Sequence, residues 1–173
     1  MRILFVSLFL SAINMATAQK IDSLFLDAAI TKLQNSKEYT LKVANGMPEE
    51  KFSFKPVPDE MSFGEQLLHI AANLNWLTTS YITSSKSPVT KSATLFKKKD
   101  EIIQVLNNTY DYAIGALKSF DAQHLPDTVS FFAGPKTKLQ IISLISDHQT
   151  HHRAQISVYL RLNGIKPPEY VGW

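Results

Sequence analysis

Two histidines, His148 and His152, stand four residues apart in the run Asp147-His148-Gln149-Thr150-His151-His152-Arg153. On an α-helix that spacing puts both imidazoles on one face, one turn apart. Neutral imidazole is a common ligand of divalent transition metals, so the pair makes half of a metal site. Both residues also continue an apolar stripe of Ile141 or Ile142, Ile145, Ile156 and Tyr159. They therefore point toward a helix-bundle interior, where an unpaired ring nitrogen is costly to bury. A bound ion removes that cost by taking the nitrogens as ligands. Hydrogen-bonded core histidines in a metal-free bundle are the competing reading. His151 rotates off the stripe and reads as a proton carrier or a surface group.

A third ligand has to come from a facing helix, because bundle cores assemble metal sites from several helices. His124 falls in a polar loop, which leaves His69 as the remaining helical histidine. It lies about a hundred degrees off the centre of its helix's apolar stripe by wheel counting. It shares that side with Gln66, Asn73 and Trp76, which places it at the edge of the core beside a cleft. Three nitrogens with an open coordination position lower the pKa of a bound water and polarise a substrate oxygen. His69, His148 and His152 thus predict a metal site whose bound water is a nucleophile toward a small-molecule substrate. The alternative is a non-enzymatic module that captures a small ligand or a metal, with Trp76, Tyr81 and Tyr159 lining the cleft. No residue stands out as the general base. Asp147 and His151 are candidates for orienting a ligand or moving protons. Glu65, one turn before His69, is a candidate for supporting the ligands, against a plain helix-capping role.

The elements that must position these residues are helices. Apolar periodicity predicts a first helix from Ile21 to about Val43, stopped by Asn45-Gly46. A connector rich in proline and aromatics follows (Pro48, Phe52, Phe54, Pro56, Pro58). Ser62-Phe63-Gly64-Glu65 has capping-box form and opens a second helix to about Thr83. A third is expected from near Ser92 to about Phe120. Residues 121–136 form a polar connection in which Thr128–Phe132 could be extended. Thr137 with Gln140 caps a fourth helix ending at Asn163-Gly164. The pattern is all-α: a four-helix bundle with long connections, which need not run simply up and down.

The first eighteen residues read as a secretory signal peptide. They have a positive start at Arg2, an apolar run from Ile3 to Ile13, and Ala16-Thr17-Ala18 as a cleavage site before Gln19. The expected mature chain, 19–173, is a single domain, periplasmic or secreted, with no membrane attachment after cleavage. Loss of Arg2 leaves 17 basic against 15 acidic residues. A balance so close to neutral, without a concentrated basic face, excludes nucleic-acid binding. The lysine run 97–99 reads as a solvated helix face. With no cysteine in the chain, stability must come from the core or from a bound ion, and thiolate ligands are excluded.

Phe54-Lys55-Pro56, the segment Ser62 to Ile70, and Asp147 to Gln155 together resemble the DinB-like family of bacterial four-helix bundles. The resemblance spans about residues 21–165. It implies a metal triad of one histidine on the second helix and two, at i and i+4, on the last: His69, His148 and His152. It further implies a divalent ion, zinc or nickel, a bundle of unusual connectivity, frequent homodimerisation, and no role on DNA. Related proteins are hydrolase-like or transfer small cytosolic thiols. An export signal fits hydrolysis better than thiol transfer.

Overall fold

A computed structural model describes residues 2–89 and 98–172, with the side chains of residues 2–20 excepted. Four α-helices form the body: α1 (Arg2–Gly46), α2 (Phe63–Leu77), α3 (Lys99–Lys118) and α4 (Lys138–Leu162). α1 packs against α3 and α4, and α2 packs against the same two. The order around the bundle is therefore α1, α3, α2, α4, with α1 diagonal to α2 and α3 diagonal to α4. The two diagonal steps, α1 to α2 and α3 to α4, are made by the long connections 47–62 and 119–137. α2 and α4, the two histidine-bearing helices, are neighbours.

The first helix is longer than its periodicity suggests. No proline or glycine occurs before Gly46, so nothing interrupts the helix between the apolar leader and Ile21. Leu26, Leu33, Val43 and Ala44 form its buried face. The second helix begins at Phe63 as expected, but its last turn, Thr78–Ile82, is π-helical. The expected start of the third helix, with Leu95 and Phe96, lies outside the described residues, and α3 is described from Lys99. Among the described residues no helix is long and apolar enough to cross a membrane.

Both connections are anchored in the core. Phe52 and Phe63 meet edge to face at 5.2 Å, and the Gly64 amide donates to the Phe52 carbonyl at 2.8 Å. A Cβ at Gly64 would lie 3.3 Å from that carbonyl oxygen and from Ile102 Cδ1, so glycine permits the close approach. The second connection carries a small hairpin, β1 (Thr128–Val129) antiparallel to β2 (Lys136–Thr137). This is the extended piece expected around Thr128. Leu125, 1% exposed, pins it to the core, a burial that stabilises by about 1.5–3 kcal/mol.

Inside the bundle a polar cluster joins three helices. The Tyr110 hydroxyl of α3 bonds Thr40 Oγ1 at 3.0 Å and Ser36 Oγ at 3.3 Å on α1, and it donates to Gln149 Oε1 on α4. Burial raises the Tyr110 pKa, which keeps the hydroxyl a donor. Of the lysine run expected to be a solvated face, Lys97 lies outside the described residues, Lys98 is exposed, and Lys99 is half-buried. Its ammonium donates to the carbonyls of Asn45 (2.9 Å) and Met47 (2.8 Å), closing the C-terminal end of α1.

Candidate metal centre

Two capping boxes set the helices that carry the site. On α2, Ser62 Oγ accepts from the Glu65 amide at 3.3 Å, and Glu65 Oε2 accepts from the Ser62 amide at 2.7 Å. On α4, Thr137 and Gln140 exchange the equivalent bonds at 3.2 and 2.8 Å. Each box fixes where the helix begins and hence which residues face the neighbouring helix. Gln66 and His69, three apart, lie on one face of α2, and His148 and His152 lie opposite on α4.

His69, His148 and His152 come together. Their ligating nitrogens all lie within 4.8 Å of one another. His69 Nε2 and His148 Nε2 are 3.1 Å apart. The ring centroids of His69 and His152 are 4.5 Å apart, and those of His148 and His152 are 4.4 Å apart. With metal–nitrogen bonds of 2.0–2.1 Å, two ligands of one tetrahedral ion sit about 3.3 Å apart. The His69–His148 pair is already at that spacing, and the wider separations of the set, up to 4.8 Å, must close by about 1.5 Å for one ion to reach all three nitrogens, a change within reach of side-chain rotation. Among the described residues this is the cluster of metal-ligating side chains, and no carboxylate belongs to it.

The orientation of His152 is set from α2. Its Nδ1 donates to Gln66 Oε1 at 2.6 Å. Gln66 Nε2 donates to the Tyr159 hydroxyl at 3.5 Å, which in turn donates to the Met61 carbonyl at 3.1 Å. This chain ends on a backbone acceptor, so it fixes the amide of Gln66 with its oxygen toward His152. The proton then resides on Nδ1, and the Nε2 lone pair is left for a metal. His148 Nδ1 is buried without a protein hydrogen-bond partner.

Burial pushes the pKa of His148 and of His152 down to about 4, and the neighbouring imidazoles push the same way. His69 is lowered as well, by burial and by His151. All three rings are neutral at pH 7, the form that ligates metals. His151 is exposed, with its ring 4.8 Å from that of His152. Asp147 is exposed, and His124 is a surface residue paired with Asp127 at 2.8 Å. Glu65 performs the capping role: its carboxylate is bound by the Ser62 amide and lies 3.5 Å from Lys55 Nζ.

His69 opens onto a groove of about 780 Å³ whose walls include Phe52, Met61, Leu68, Ala72 and Ile102, with Glu49, Glu50 and Lys55 also lining it. These are not the aromatics expected from the sequence. Trp76 and Tyr81 instead cluster with Phe131 at 5.8 and 5.9 Å, and Tyr159 packs on Phe54 at 5.9 Å. The helical wheel shows which residues share a side, but not which neighbouring element each meets.

Sequence reasoning missed Gln66 as the partner of His152, although it lies one turn before His69. Polar residues at i and i+3 on a long apolar helix are the signal that could have found it. Gln149 and Arg153, both buried, were also missed, since glutamine and arginine on a helix ordinarily face water.

The comparisons with known proteins agree with the fold. The chain is similar to an uncharacterized protein, YjoA, of Bacillus subtilis, at 23% identity over 143 residues, or 78% of this chain and 88% of the relative. The solved DinB-like structure of YjoA superposes with a TM-score of 0.69 at 17% identity, covering 83% of this chain and 96% of that one. A DinB-like protein from Bacillus cereus superposes with a TM-score of 0.74 at 20% identity, covering 84% and 97%. These two establish the fold. The family model described as DinB family matches residues 20–172, and the chain belongs to that family.

Proposed function

We propose that the chain is an exported protein that holds a divalent metal on His69, His148 and His152 and hydrolyses a small-molecule substrate entering by the groove. The observation that carries this reading is the convergence of three neutral imidazoles from two helices, their nitrogens within 4.8 Å of one another. A zinc or nickel ion bound there would act as a Lewis acid, polarising a substrate oxygen and acidifying a coordinated water. The chain's own residues have separate tasks. Gln66 fixes the tautomer of His152. Leu68, Ala72 and Met61 offer an apolar wall to the substrate beside His69. His151, exposed next to His152, carries protons to and from solvent. Export rests on the signal-peptide pattern of residues 1–18.

One observation favours a second reading, a non-enzymatic ligand-binding module: among the described residues no carboxylate joins the cluster, and Glu65 is engaged in its cap. Elemental analysis of the mature protein after metal supplementation tests the site, with a His148→Ala/His152→Ala variant as control. One divalent ion per chain, lost in the variant, is expected, and a metal-free unmutated protein would sink the proposal. Turnover of ester, amide or lactone substrates that disappears with the histidines selects the enzyme. Metal binding without turnover selects the module. Mass analysis of the exported product, starting at Gln19, tests localisation.

A further inference from the structure

Two buried polar atoms beside the triad are left without hydrogen bonds: Nδ1 of His148 on α4 and Oδ1 of Asn73 on α2. The bond that His148 does make runs from its other ring nitrogen, with Nε2 lying 3.1 Å from His69 Nε2. A proton must stand between those two nitrogens, so this bond belongs to the metal-free protein; two nitrogens that both ligate an ion share no proton. A neutral His148 that gives Nε2 to an ion carries its proton on Nδ1. That N–H is buried, and it needs an acceptor.

Among the described residues the buried acceptors without a partner are Asn73 Oδ1, Thr78 Oγ1 and Gln155 Oε1. Gln155 lies on α4 itself, seven residues past His148, or about 10.5 Å along the axis. Thr78 is nine residues past His69, about two and a half turns. Asn73 is one turn past His69 and on the same face of α2. Its level against α4 follows from two contacts: Gln66 meets His152, and His69 meets His148. Rising numbers on α2 therefore face falling numbers on α4, and the next step sets Asn73 beside the turn that precedes His148. Helical side chains lean toward the N-terminus of their own helix, so the His148 ring leans toward that turn and toward Asn73.

We propose that Asn73 is a positioning residue for His148: its Oδ1 accepts the Nδ1 proton when Nε2 is given to a metal ion. The inference rests on the triad holding a metal, as proposed above. The set has to close by side-chain rotation to reach one ion, and the same rotation joins the two unpaired atoms. Besides His69, α2 then supplies a partner for each ligand of α4, Gln66 for His152 and Asn73 for His148. The two partners differ in timing. The Gln66 bond exists without the ion, whereas the Asn73 bond forms with it.

Zinc affinity of the mature protein is measured by competition with a chromophoric chelator, and the His148 tautomer by long-range proton–nitrogen NMR of the imidazoles in the zinc-loaded state. Asn73→Leu should lower zinc affinity about 10–100-fold, and Asn73→Asp, which keeps an acceptor, should restore it. The His148 Nδ1–H signal should be protected from exchange in the unmutated protein and lost in Asn73→Leu. Because Oδ1 is unpaired before the ion binds, the metal-free unfolding midpoint should hold in Asn73→Leu, with Asn73→Ala as the smaller replacement if leucine does not fit. Zinc affinity within twofold of the unmutated protein in both replacements overturns this proposal alone. So does an affinity loss that comes with a lowered metal-free midpoint in both, which marks a merely structural role. No zinc binding by the unmutated protein overturns it together with the function proposed above.

Discussion

Replacing Gln66 separates the role of the hydrogen bond to His152 from that of the histidines themselves. In the protein, the 2.6 Å bond from His152 Nδ1 to Gln66 Oε1 holds the ring proton away from the metal-facing nitrogen. Gln66→Leu removes the acceptor at a site that is 0% exposed. His152 then either keeps a buried, unpaired N–H, at about 1–3 kcal/mol, or moves its proton to Nε2 and blocks its own ligand position. Both outcomes weaken metal binding. Loss of such a supporting partner costs about 10–100-fold in affinity, or roughly 1.4–2.8 kcal/mol. Gln66→Glu keeps an acceptor at the same place and adds a negative charge that a divalent ion would offset. The expected result is a split. Metal-free stability, from thermal unfolding, falls in both variants, the glutamate variant suffering from an unneutralised buried carboxylate. Zinc affinity, from competition with a chromophoric chelator, falls 10–100-fold in the leucine variant and is retained or improved in the glutamate variant. Zinc affinity in Gln66→Leu within twofold of the unmutated protein would refute the assignment of Gln66 as the residue that sets the tautomer.

The metal-free protein should lose stability on acidification. His148 and His152 titrate near 6.5 when unfolded and near 4 when folded, so the unfolded chain binds more protons between those values. Stability should be full above about pH 6.5, fall toward pH 4 and level off below, as read by urea unfolding across that range. Over the same interval metal should be released, since protons compete for the ring nitrogens. Glu65→Ala should cost about 1 kcal/mol of stability through the lost half of its capping box and leave metal affinity unchanged; a tenfold loss of affinity would place Glu65 at the metal. Gly64→Ala should destabilise by about 1–3 kcal/mol, because its Cβ meets the Phe52 carbonyl and Ile102 at 3.3 Å. An unchanged thermal midpoint would show that the connector yields.

The bundle and the triad were legible in the sequence because both rest on spacing. Capping signals at Ser62 and Thr137 marked the starts of α2 and α4, and i, i+4 spacing paired His148 with His152. His69 looked misplaced because the wheel located the buried face of α2 from apolar residues alone. The face that meets α4 includes Gln66, which is fully buried, so the true interface is wider than the apolar stripe and takes in His69. Lys99, Gln149 and Arg153 escaped for a related reason. Their partners (the end of α1, Tyr110, Ser36 and Thr40) lie 39 to 117 residues away in the chain, and no local pattern encodes contacts at that range. The expected aromatic lining failed because helical spacing does not say which neighbour a ring will meet.

The Tyr110 cluster bears on a different property, the axial register of α4. The apolar stripe of that helix repeats every turn, so a slide of one turn, about 5.4 Å, would still bury isoleucine against isoleucine. The same slide would carry Gln149 beyond reach of the Tyr110 hydroxyl and Arg153 beyond Ser36. Hydrophobic packing is tolerant of such a shift; directional bonds between buried groups are not. His148 and His152 flank Gln149 on the same helix, so the contact that rejects the slid arrangement is also what holds two imidazoles level with the third.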